Sequence, residues 1–144
     1  MRILLITIGG LVALLVLGAV AIDEGEVVAL TTFDADGKDH LTQLWIVDLE
    51  GDSYLRSAAP DSEWLERLRA RPEAVLARGE EDRAITATPV SSSELLARIN
   101  RAMAEKYGTS DRLYSALFDR SRSVPVRIEP RAAGGATFSH RGSE

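Results

Sequence analysis

The chain contains no cysteine, which excludes disulfide staples, thiolate metal sites and cysteine nucleophiles. Histidine is almost as scarce: among 144 residues only His40 and His140 occur. Neither has an acidic or histidine partner at a ligand spacing, so metal-assisted catalysis lacks a donor set. No serine stands in a G-x-S-x-G elbow, and Gly9-Gly10, Gly37 and Gly134-Gly135 form neither a P-loop nor a dinucleotide fingerprint. A basic excess is missing too: 17 Lys and Arg against 22 Asp and Glu give a net charge of −5, which argues against a nucleic-acid partner. No internal repeat is visible.

What is present begins with an apolar run. From Ile3 to Ile22 every residue is apolar, Gly or Thr, with Arg2 before it and Asp23-Glu24 after it. At ~1.5 Å rise per residue such a helix reaches ~30 Å, the hydrocarbon thickness of a bilayer. The run has no polar face, as a helix buried in a soluble core would, and it reads as one transmembrane segment. Ala19-Val20-Ala21 is also a signal-peptidase pattern, so residues 1–22 are either a retained signal-anchor or a cleaved signal peptide. With the cation before the run and acids after it, the domain is expected on the periplasmic or exterior side, and secreted if cleavage follows Ala21.

Residues 23–130 carry the pattern of one globular domain, consistent with 45% hydrophobic and 27% charged residues. Val27–Phe33 is a β-branched and aromatic run that ends in the turn Asp34-Ala35-Asp36-Gly37. The strand His40–Asp48 follows, and its consecutive Leu44, Trp45, Ile46 and Val47 predict cover on both faces. Glu50-Gly51-Asp52 turns the chain into a third strand, Ser53–Ala58. Pro60-Asp61-Ser62 opens a helix through Arg71, with Asp61 or Ser62 as N-cap, apolar Trp64, Leu65 and Leu68, and a stop at Pro72. Ala74–Ala77 and Arg83–Thr88 read as strands four and five around an acidic turn, Gly79-Glu80-Glu81-Asp82. Ser91 and Glu94 form a capping box for a helix ended by Gly108, with Leu95, Ile99 and Met103 in register. A second helix from about Asp111 places Leu113, Tyr114, Leu117 and Phe118 on one side, and Ser123–Glu129 is the last strand. Residues 131–144, rich in Gly, Arg and Ala, read as a flexible tail.

The block Leu41–Pro72, with two strands and then a helix carrying Trp64, resembles the flavin-binding split barrels, the superfamily of pyridoxine-phosphate oxidase and the deazaflavin-dependent nitroreductases. The resemblance covers about Glu26–Pro130. It implies a mainly β fold: a six-stranded antiparallel split β-barrel with a crossover helix and a C-terminal helical pair, here preceded by one transmembrane helix. It also implies a homodimer and a cofactor, FMN or a deazaflavin coenzyme, in a groove between the second and third strands and the following helix. By motif position Thr42, Gln43, Leu44 and Trp45 would line the ring, Arg56, Ser57, Ala58 and Ala59 would face the phosphate, and Trp64 would pack over the site.

The chemistry would then belong to the cofactor, as hydride or electron transfer to a small substrate in a membrane-tethered oxidoreductase. A second reading stays open beside it. Deazaflavin-dependent relatives carry a basic hairpin where this chain has Gly37-Lys38-Asp39-His40, and a Ser-Lys-Gly run where it has Ser57-Ala58-Ala59. Thinner positive charge is consistent with a cofactor-free split barrel used for binding or assembly outside the membrane.

Overall fold

The computed structural model describes residues 25–132. No helix among these residues is long and apolar enough to cross a membrane. The expected membrane segment Ile3–Ile22 and the tail beyond Ala132 lie outside the described residues.

Six strands, β1 (Val27–Phe33), β2 (Asp39–Leu49), β3 (Asp52–Ser57), β4 (Glu73–Arg78), β5 (Glu81–Pro89) and β6 (Val124–Pro130), close into an antiparallel barrel. Their order around it is β1-β2-β3-β6-β5-β4, with β4 pairing back onto β1. Helix α1 (Glu63–Ala70) crosses from β3 to β4. Helices α2 (Ser93–Tyr107) and α3 (Thr109–Leu117), with a 3₁₀ turn at Arg120–Arg122, cross from β5 to β6. The six-stranded barrel with a crossover helix and a later helical pair is thus the architecture that the split-barrel resemblance implied.

Local chemistry sets the turns. Asp34 Oδ1 accepts the N–H groups of Asp36 and Lys38 at 3.0 Å each, and Gly37 adopts φ 80° to bring β2 back along β1. Glu50 and Gly51, at φ 53° and 88°, make the two-residue link between the paired Leu49 and Asp52. Two positive φ values in succession are the type I′ geometry that matches strand twist. The β4–β5 turn is tighter than the expected acidic turn: Arg78 pairs with Glu81, leaving only Gly79-Glu80 as the loop.

Alternation along β2 and β3 divides the apolar residues between two cores. Leu44, Ile46 and Leu55 face the barrel interior, where Val28, Leu30, Leu76, Ile85 and Val126 meet Trp64, Leu65 and Leu68 of α1. Trp45, Val47 and Tyr54 face outward and are covered by Leu95, Ile99, Met103 and Tyr107 of α2. Both faces of β2 are therefore covered, as its unbroken apolar run requires. Helix α2 starts one residue later than its capping box suggests, because Ser92 rather than Ser91 is the N-cap and accepts from the Leu95 N–H at 3.1 Å. The α3 face is also different: Tyr114 turns toward the body, whereas Leu113, Leu117 and Phe118 are 59%, 78% and 46% exposed.

Tyr107 closes a gap in the sheet. The β1–β2 ladder ends at Val27 opposite Trp45, so Ile46 and Glu26 would be the next pair. The Tyr107 hydroxyl sits between them, accepting from the Ile46 N–H at 3.0 Å, with the Glu26 carbonyl at 2.7 Å and the Ile46 carbonyl at 2.8 Å as the two acceptors for its one proton. The Ile46 carbonyl accepts from Lys106 Nζ at 2.8 Å. The Tyr107 ring stacks on Trp45 with centroids 4.5 Å apart and planes 10° from parallel. Gly25 passes so close that a Cβ there would lie 2.7 Å from the ring.

Candidate functional site

A cavity of about 480 Å³ opens where β2, β3, the start of α1 and α3 converge. That volume lies in the range of roughly 300–1,000 Å³ usual for small-molecule sites. The aromatic and apolar part of its wall is Leu44, Trp45, Trp64, Met103, Leu113 and Tyr114. Parity places these groups: Trp45 projects from the outer face of β2 toward α2, while Leu44 points inward beside α1. A larger hollow of about 630 Å³ lies elsewhere, among loop serines and prolines around Ser91–Ser93 and Pro125, and no aromatic ring lines it.

Of the nine residues expected at the site, Gln43, Leu44, Trp45, Arg56, Ala58 and Trp64 share this cavity. Thr42 does not line it; it pairs with Leu30 in the β1–β2 ladder. Ser57 is fully buried, and its hydroxyl lies 2.7 Å from both the Ala59 carbonyl and the Ser62 hydroxyl. Ser62 Oγ is itself 2.9 Å from that carbonyl, so Ser57, Ala59 and Ser62 satisfy one another in a closed triangle rather than facing a phosphate. For the same reason Ser62, although it is the N-cap residue of α1, makes no side-chain cap hydrogen bond.

Arg56 lines the cavity and is paired within the chain. Its Nη2 donates to Asp111 Oδ1 and its Nη1 to Asn100 Oδ1, each at 2.9 Å. Its guanidinium carbon stands 4.5 Å from the centroid of the Tyr114 ring. The side chain is 2% exposed, and that of Asp111 is fully buried. The second Asp111 oxygen accepts from Arg120 Nη2. A cation expected to await an anionic ligand is therefore already paired, because burial of a charge demands a partner.

Three arginines of α1 and its C-terminal end are engaged as well. Arg67 donates to Thr32 Oγ1 at 2.9 Å, Arg69 to the Pro60 carbonyl at 2.8 Å, and Arg71 lies over the Phe33 ring at 5.5 Å. His40 is held on Asp34 at 2.9 Å within the first hairpin, outside the cavity, and that hydrogen bond holds the Asp34 carboxyl below its ordinary range. Beyond the cavity, Arg78 of β4 forms paired bonds with Glu26 and with Asp48 and ties one end of the β1–β2 pair, the start of β1 and the end of β2, to β4. These bonds hold both carboxyls low, Asp48 at about 2. No cluster of metal-binding side chains occurs among the described residues.

Asn100, Tyr107, Asp111, Tyr114 and Arg120 lay outside the sequence reading of the site. The one available signal was Asp111, a carboxylate at the start of an otherwise apolar helix stripe, and it reads equally well as a dipole-complementing surface acid.

Fold and cavity together define a split β-barrel of the kind found in pyridoxamine-phosphate-oxidase-like proteins and F420-dependent reductases. The chain belongs to the bacterial family described as "uncharacterized protein conserved in bacteria (DUF2255)", whose profile matches residues 19–128. Among solved structures it is similar to HutZ, the heme storage protein from Vibrio cholerae, at 18% identity, covering 76% of this chain and 84% of that one with a TM-score of 0.59. It is also similar to an F420-H2-dependent reductase, FDR-A, at 22% identity, 72% and 93% coverage and a TM-score of 0.55. A third likeness is to the conserved hypothetical protein Rv2991 from Mycobacterium tuberculosis, at 22% identity, 74% and 73% coverage and a TM-score of 0.56. No functionally curated protein matches the chain in sequence.

Proposed function

We propose that this protein is a membrane-tethered, homodimeric split-barrel module that binds a flat conjugated ring of the flavin or deazaflavin type and uses it for electron or hydride transfer to a small substrate. The observation that carries the reading is the convergence of Trp45, Trp64 and Tyr114 with Leu44 and Met103 on one cavity of ligand size. Flat aromatic and apolar walls favour a ring by stacking and by desolvation. Such a ring, when bound, supplies the redox chemistry itself. The chain's own part is to orient it between β2 and α1 and to exclude water with α3.

The residues present fit the ring and not a phosphate. Trp64 is held by the barrel core and Trp45 by its stack on Tyr107, so both ring walls are rigid. Arg56, the side chain that would meet a phosphate, is enclosed by Asp111, Asn100 and Tyr114. Tethering follows from the apolar run Ile3–Ile22, and the homodimer from the apolar α3 surface beside the cavity.

That same surface supports a second reading, an assembly module without a cofactor, in which Leu113, Leu117 and Phe118 are the contact and the cavity is incidental. A titration separates the two. The full chain in detergent is mixed with riboflavin, FMN or a deazaflavin while the visible spectrum is recorded. A red shift and sharpening with at least one of the three is expected. Three unchanged spectra would sink the ring-binding reading and leave the assembly module.

A further inference from the structure

The wall of the cavity contains one cationic side chain among the described residues, Arg56, and its surroundings are informative about ligand charge. Asp111 and Tyr114 are three residues apart on α3, a spacing that puts both on one helix face. Asp111 takes one edge of the guanidinium and Tyr114 covers its face, while Asn100 of α2 takes the other edge, so α3 and α2 together remove Arg56 from solvent. Nearby donors are closed off as well. The Ser57 and Ser62 hydroxyls are turned onto the Ala59 carbonyl, and the first turn of α1 carries Glu63 and Glu66, whose carboxylates oppose an anion at that helix end. We propose that the cavity selects an uncharged flat ring over a phosphate-bearing one, and that Asp111, by occupying the Arg56 guanidinium, is the residue that sets this preference. The inference rests on the ring-binding reading above and specifies its ligand class.

The physical argument is one of displacement. A phosphate could reach Arg56 either by displacing the Asn100 amide oxygen from Nη1, beside the Asp111 charge, or by moving that fully buried carboxylate off Nη2, which would leave Asp111 with Arg120 as its remaining cation. Incoming and resident anions would compete for the same donors, and the resident one is covalently in place. An uncharged ring meets no such competition and keeps Arg56, Asp111 and Tyr114 as they stand.

Riboflavin and its 5′-phosphate share one ring and differ only in the phosphate, so they isolate the charge. Both are titrated against the full chain in detergent by flavin fluorescence polarisation. Riboflavin should bind at least 10-fold more tightly than the phosphate ester. In Asp111→Asn the ratio should move at least 10-fold toward the ester, because Arg56 is released. Should that variant not fold, the double variant Asp111→Asn/Arg120→Gln keeps the local net charge unchanged and should show the same movement. Equal or tighter binding of the ester by the unmodified chain overturns the inference while leaving ring binding intact, as does a folded variant with an unchanged ratio. Binding of neither flavin overturns the inference, and the reading on which it rests falls with it only when a deazaflavin also fails to bind.

Discussion

Replacing Tyr107 by Phe removes a single oxygen, and the structure states what that oxygen does. It fills the place of a ladder pair between Ile46 and Glu26, accepting from one backbone N–H and donating to one carbonyl. Phenylalanine keeps the ring and hence the stack on Trp45, so the substitution isolates the hydroxyl. Ile46 is fully buried, and its N–H would lose its partner where water does not reach. An orphaned buried donor costs about 1–3 kcal/mol, and the lost donation to a carbonyl adds up to about 1 kcal/mol. We therefore expect a loss of about 2–3 kcal/mol, or a fall in Tm of about 10 °C for a domain of this size. Urea unfolding followed by far-ultraviolet circular dichroism measures it as a lower midpoint at unchanged slope. The pH dependence supplies an internal check. Burial raises the Tyr107 phenol above its ordinary 10.0, so its contribution is fully present below about pH 10 and is lost as pH rises through the folded value. The gap between wild type and Tyr107→Phe should accordingly narrow above pH 10. A variant within about 0.5 kcal/mol of wild type at pH 7 would refute the ladder-filling role.

Three further outcomes follow from features already described. Gly25→Ala places a Cβ 2.7 Å from the Tyr107 ring at a φ of 64°, and should cost about 1–3 kcal/mol by thermal melting; the cost should persist in the Tyr107→Phe background, which keeps the ring that the new Cβ meets. Leu117→Asp alters a side chain with almost no intramolecular cover, so light scattering should show the dimer reduced to a monomer with the melting temperature nearly unchanged; a wild-type monomer would refute the dimer. Asp48 is depressed to about 2 by Arg78, so its pairing stabilises above about pH 4 and is lost as pH falls toward 2. Asp48→Asn should shift acid unfolding to higher pH by at most about 1 kcal/mol of stability, because the carboxylate is half exposed, and 1 M salt should shrink the difference.

The barrel was legible because its signals are local. Asp34 to Gly37, Glu50-Gly51 and Gly79 mark turns by backbone chemistry that any fold must respect, and the unbroken run Leu44–Val47 announces a strand covered on both sides. The apolar side of α3 was legible only as apolar. Periodicity identifies a hydrophobic stripe without saying whether it meets the chain's own core or another molecule, and here Tyr114 meets Trp45 and Arg56 while Leu117 is exposed. The state of Arg56 was out of reach for a different reason. Its partners stand 44 and 55 residues away, and charged pairs at such separation leave no periodic trace. Position on a strand beside a helix placed Arg56 next to the cavity that it lines and carried no sign of Asn100 or Asp111.

Closure of the sheet bears on how this protein meets others. With β4 hydrogen-bonded to β1, the strand order returns to its start, and the six described strands form a ring with no outer member. Pairing is nonetheless one-sided along Asp39–Trp45 of β2, which bonds to β1 while only Ile46–Leu49 bond to β3, so a further strand could add there and nowhere along a free outer strand. Elsewhere recognition falls to side chains, on surfaces such as α3, where substitutions leave every ladder bond in place.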